Sequence, residues 1–137
     1  MQHPAFVRKT YDETLSLMVQ ARDYAAYGAG SDCMPGPDAS GRLALSCEAM
    51  RITARLASVM AWLMRQRAIH NGELQEADVL ADGAWLPTDP AGPDPTEGAA
   101  PLPFELNRLR DHSRRLYERV ARIEALLLEK NDAISGR

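Results

Sequence analysis

The sequence predicts an all-α fold: an antiparallel three-helix bundle with a long central helix and a Pro-rich linker before the last helix. Three observations carry this prediction. From Leu43 to Ala68, apolar residues recur at alternating spacings of four and three along two adjacent lines, the mark of a helix packed on two sides. From Leu106 to Leu127 the same alternation returns. Glycine and proline collect at 28–41 and 87–103, where they break any regular period.

The elements follow in order. Thr10-Tyr11-Asp12-Glu13 fits a capping box, whose hydroxyl and carboxylate satisfy orphan amides at a helix start, with Pro4 offering an earlier start. Tyr11, Leu15, Met18, Arg22 and Ala25 then form a stripe, widened by Leu17, Val19, Tyr24 and Tyr27, and the helix is expected to end at Gly28-Ala29-Gly30. In the loop to Gly41, Asp38 or Ser40 is available to cap the second helix. That helix carries one line at Leu43, Cys47, Met50, Ala54, Ala57, Ala61, Met64 and Ala68, and a second at Leu45, Ile52, Leu56, Val59 and Leu63. Its alanines permit close approach of a neighbour, and its two-sided pattern places it at the centre.

Asn71-Gly72 is a suitable stop, because both residues tolerate the left-handed conformation that ends helices. Glu73 to Leu80 can form a short further piece. The stretch 87–103 has six prolines and almost nothing to bury, so it cannot offset the ~1–2 kcal/mol of backbone entropy lost per ordered residue; a mobile linker is expected. Pro103 suits the first turn of the third helix. Leu106, Leu109, Ser113, Leu116, Val120, Ile123 and Leu127 mark that helix's inner stripe, with Tyr117 and Leu126 beside it, and the polar end 131–137 reads as a flexible tail. The whole chain, 1–137, reads as a single domain.

Composition narrows the function. A chain of 137 residues with 45% hydrophobic side chains has enough apolar surface for one core. A net charge of −3 and a pI near 5.6 argue against a general nucleic-acid binder. Between Glu73 and Glu97 there are seven acidic residues (Glu73, Glu76, Asp78, Asp82, Asp89, Asp94 and Glu97) and no Lys or Arg, while the flanking helices are rich in arginine. Such charges are usually solvated helix faces; the sharper reading is a basic patch that docks an acidic partner. No window approaches the ~18 apolar residues of a membrane span and no secretory signal opens the chain, so a cytoplasmic location is expected. Cys47 reads as a small core residue and Cys33 as a surface thiol.

No catalytic apparatus is visible. His3, His70 and His112 form no ligand spacing, no Gly-rich loop precedes a helix, and no activated Ser or Cys setting occurs, so no metal, no cofactor and no enzyme are expected. The breaks are too long for a helix-turn-helix, and the third helix interleaves its arginines with Asp111, Glu118, Glu124 and Glu129. Glu118 lies four residues from both Arg114 and Arg122, which favours intrahelical pairs on a solvated face. A nucleic-acid-associated regulator using these arginines is the alternative reading. Trp62 is expected to be buried, or else an interface anchor; Trp85-Leu86 to fold back as a latch, or else to dock a partner.

The run Glu48-Ala-Met-Arg-Ile-Thr-Ala-Arg-Leu at 48–56, continuing to Trp62-Leu-Met-Arg-Gln-Arg-Ala at 62–68, and Ser-Arg-Arg-Leu-Tyr-Glu-Arg-Val-Ala-Arg-Ile-Glu at 113–124 resemble the bacterial RcdA family, the regulators of CtrA degradation. The resemblance covers helices two and three well and helix one weakly. It implies a dimeric three-helix bundle that acts as a protease adaptor, helping a ClpXP-type protease and its priming factor to receive cell-cycle regulators as cargo. The matching positions are Arg51, Thr53, Arg55, Trp62, Gln66, Arg67, Tyr117, Glu118 and Arg119, and Arg114 and Arg115 are the exposed cations expected to touch a partner. A partly buried pair between Glu118 and Arg51 or Arg55 is expected to fix the helix register. With only two neighbours for a two-faced helix, surface left around Val59, Trp62, Leu63 or the first helix is expected to seek a twofold mate. The proline-rich stretch departs from the family pattern and is where partner choice can differ.

Overall fold

The computed structural model describes residues 4–28, 39–81, 83–86 and 103–135. Helix α1 spans Pro4–Asp23 and runs into a π-helical turn at Tyr24–Gly28. Helix α2 spans Ala39–His70, α3 spans Glu76–Ala81 and α4 spans Phe104–Ser135. The protein is an all-α bundle with a long central helix, and no strand occurs among the described residues.

Side-chain partners set the helix directions. Arg8 and Tyr11, early in α1, share a cleft with Leu63 and Arg67, late in α2, while Met18 and Ala25 lie beside Met50 and Ala57. Against α4, Glu13 meets His112 and Arg119 while Gln20 meets Arg108. Helix α1 therefore runs antiparallel to both α2 and α4, and α2 and α4 run parallel. Trp62 and Gln66 sharing a recess with Glu124 and Leu127 agrees with this alignment. The antiparallel arrangement expected from the sequence holds for α1 against each of the other two long helices and not between α2 and α4; α2 ends and α4 begins at opposite ends of the bundle.

The core joins Leu17 and Tyr24 of α1 and its turn, Ile52, Leu56, Val59, Trp62 and Leu63 of α2, and Leu106, Leu109, Leu116, Tyr117, Val120 and Leu127 of α4. Burying each such aliphatic side chain contributes about 1.5–3 kcal/mol. In α2 it is the second line that faces inward. The first line faces out: Leu43, Met50 and Met64 are 65%, 71% and 40% exposed, and Cys47 is exposed rather than a core residue. In α1 the inner positions are Thr10, Thr14, Leu17 and Tyr24, while Leu15 and Val19 stay outside. Two threonines can face a core because Thr14 Oγ1 donates to the Thr10 carbonyl at 2.7 Å, which satisfies the hydroxyl within its own helix and turns the methyl inward. Thr10 is thus mid-helix and not a cap; α1 starts earlier, at Pro4.

Helix α2 ends as expected at Asn71-Gly72. Gly72 takes φ 82°, and the amides of Gly72 and Glu73 donate back to the carbonyls of Ile69 (3.1 Å) and Ala68 (2.8 Å), a Schellman pairing. Helix α4 continues to Ser135, so most of the stretch that polarity alone assigns to a tail is helical. Leu126 is exposed, on the outer side of α4. The loop residues 29–38, including Cys33 and the cap candidate Asp38, and the linker residues 87–102 lie outside the described residues.

Candidate protein interaction surfaces

The residues singled out by the expected resemblance divide between interior and surface. Arg55, Trp62, Gln66 and Tyr117 are buried, Thr53, Arg67, Arg115 and Glu118 are exposed, and Arg51, Arg114 and Arg119 are half-buried. Thr53 is turned to its own helix, its Oγ1 donating to the Ala49 carbonyl at 2.9 Å. Inside, Glu48, Arg55 and Gln66 lie along one face of α2, and Glu48 Oε1 and Oε2, Arg55 Nη1 and Gln66 Oε1 have no hydrogen-bond partner. Each such atom costs about 1–3 kcal/mol, which the surrounding apolar packing has to offset. These residues shape the interior and do not form a docking face.

The expected pairing of Glu118 with Arg51 or Arg55 does not form. Glu118 points outward, and the carboxylate that joins helices is Glu13 of α1. Its Oε1 accepts from Arg119 Nη2 at 2.6 Å, and its Oε2 lies 3.0 Å from His112 Nε2. Two α1 turns further along, Gln20 Oε1 accepts from Arg108 at 2.7 Å, and Arg108 also pairs with Glu105. The hydrogen bond from Arg108 holds the Glu105 carboxyl below its ordinary 4.5, and the same bond raises Arg108. These contacts are partly exposed, so each is worth about 0.2–1 kcal/mol and sets register more than stability. Sequence reasoning missed Glu13 as a tertiary contact because its spacing from Thr10 matches a capping box.

The latch expected at Trp85-Leu86 is present. Gly83 at φ 85° turns the chain after α3, and the Glu124 carboxylate then accepts the Trp85 amide at 3.0 Å and the Leu86 amide at 3.2 and 3.3 Å. Leu86 is buried, and the Arg65 guanidinium lies 4.7 Å over the half-open Trp85 ring. Two backbone donors explain why α4 accommodates a buried carboxylate in its inner stripe.

Two concave surfaces open along the α1–α2 seam. One is an apolar groove of about 750 Å³ floored by Met18, Val19, Ala49, Met50, Ala54 and Ala57. The other, also about 750 Å³, lies at the opposite end of the seam and carries charge: Arg8, Arg67 and His70 rim it over Val7, Tyr11 and Leu63. Among the described residues no three His, Cys, Asp or Glu side chains gather where they could hold a metal, and no helix is long and apolar enough to cross a membrane.

The fold and its seam define the class: an all-α bundle whose long central helix leaves one apolar line open to a partner. The chain belongs to the family described as Protein of unknown function (DUF1465), whose model matches residues 1–136. It is similar to the solved structure of RcdA from Caulobacter crescentus CB15, with 27% identity, a TM-score of 0.68, and coverage of 88% of this chain and 89% of that one. No curated protein matches the chain.

Proposed function

We propose that this protein is a non-catalytic adaptor that tethers cargo to a ClpXP-type protease in regulated, cell-cycle-linked proteolysis, acting as a cytoplasmic homodimer. The observation that carries the reading is the RcdA likeness, which covers 88% of this chain. A tether needs a stiff body with an open face, and the charged cleft of the α1–α2 seam offers one, while the apolar groove suits a second copy.

Of the surface expected to seek a twofold mate, Val59, Trp62 and Leu63 are buried within one chain, while Leu15 and Val19 of the first helix stay exposed. With Met50, Ala57, Ala61 and Met64 they make an apolar strip that supports pairing with a second copy. The nucleic-acid alternative gains no support from α4, where the exposed Arg115 and Arg122 alternate with the exposed Asp111, Glu118 and Glu129. Charge reversal at Arg114 and Arg115 tests whether these family-associated cations touch the protease side.

The experiment is a reconstituted degradation assay with ClpXP from the source cell, its priming factor and fluorescent cargo regulators. Addition of this protein is expected to accelerate loss of at least one cargo. Unchanged degradation of every cargo, together with no association with protease or priming factor in either phosphorylation state, would falsify the adaptor reading.

A further inference from the structure

We propose that the charged cleft at the start of α1 and the end of α2 binds a short acidic peptide segment that carries apolar side chains. The argument begins with charge. Arg8, Arg67 and His70 converge on one cavity, and Asp12 is the only acidic residue lining it among the described residues. Arg8 and Arg67 are exposed, and no carboxylate of the described residues is paired with either. The arginines of α4 that face α1 are held instead: Arg119 by Glu13, and Arg108 by Gln20 and Glu105. Two forked donors over one cavity suit a carboxylate, which guanidinium groups grip bidentately.

The floor selects the rest of the ligand. Val7, Tyr11 and Met64 present apolar surface to the cavity beside the cations, so a purely hydrophilic acid would leave this surface wet. The volume, about 750 Å³, lies in the range of built binding sites. Its lining runs from position 63 to 71 on α2, about 12 Å of helix, which matches three to four extended residues of a peptide. A carboxylate beside an apolar side chain, over a length of three to four residues, describes an acidic peptide better than a phosphate, a lipid or a nucleic acid strand.

The proposal rests on the adaptor reading only in taking this peptide to be part of the cargo. Its test is fluorescence anisotropy with the full-length protein and three labelled hexapeptides, alternating Glu with Leu, Glu with Ser, and Lys with Leu. The Glu/Leu peptide is expected to bind, the other two to bind at least tenfold more weakly. The double variant Arg8→Glu, Arg67→Glu changes two exposed side chains and is expected to lower Glu/Leu affinity at least tenfold while thermal melting stays unchanged. No binding of the Glu/Leu peptide, equal binding of Glu/Ser, or full affinity in the double variant overturns the proposal. A loss of dimer mass in the double variant with peptide affinity intact also overturns it, because the cleft would then be a contact between copies. In the degradation assay, failure of this proposal alone leaves cargo delivery by the double variant intact, whereas failure of the adaptor reading leaves no delivery to measure in the unaltered protein.

Discussion

Replacing Glu124 by Ala tests whether the latch at 83–86 is a unit separate from the bundle. The carboxylate receives the Trp85 and Leu86 amides at 3.0 to 3.3 Å and is buried with them. If the latch stayed closed in the variant, two amides would be left without acceptors, at about 1–3 kcal/mol each. If it opened, the loss would be the burial of Leu86, about 1.5–3 kcal/mol, and the Arg65–Trp85 contact, about 0.5–1 kcal/mol. Opening also returns some backbone freedom, which offsets part of that loss. Opening is the smaller loss, so a net destabilisation of about 2 kcal/mol is expected, with Tm lower by roughly 5–10 °C. Amide hydrogen exchange gives the decisive reading. Trp85 and Leu86 should lose nearly all protection in the variant, while Val120 in the core keeps protection close to the new global limit. Undiminished protection at Trp85 and Leu86, or an unchanged Tm, would refute the reasoning.

Three further outcomes follow from other parts of the structure. Met50→Glu, on the exposed line of α2, is expected to convert a dimer to a monomer in sedimentation without lowering the helical signal, and a persistent dimer would move the interface elsewhere. Gly72→Ala is expected to cost about 1–2 kcal/mol in chemical denaturation; nothing lies within 4 Å of the added methyl, so the whole effect comes from the left-handed backbone. The Glu105 carboxyl is expected to titrate by NMR below 4.5 and to return to about 4.5 in Arg108→Ala. Because its folded value is the lower one, its small stabilising contribution is complete above pH 4.5 and disappears as the pH falls through the folded value.

The long elements were legible because their signals are local. The alternation from Leu43 to Ala68 and the Asn71-Gly72 stop depend on neighbours in sequence, and both appear where expected. Which of the two lines on α2 turns inward was not legible, since Met50 and Ala57 have the same spacing as Ile52 and Val59; volume favours the β-branched and Leu line for the core. The placement of Thr10 and Thr14 inward was hidden because a back-bonded threonine counts as polar in any periodicity. Helix direction was hidden too, because it depends on where the long connection leads and not on any residue in the helices. Of the expected site residues, Arg67 lines the charged cleft, but its partners Arg8 and His70 come from places that no motif joins.

The outward-facing Cys47 has a practical use that follows from its place on the open line of α2. A sulfur set among oily neighbours is shielded whenever another molecule lies down on them. Its rate of alkylation, measured in a background where Cys33 is serine, becomes a gauge of coverage. Dilution, added protease or added cargo can each be watched through a single atom.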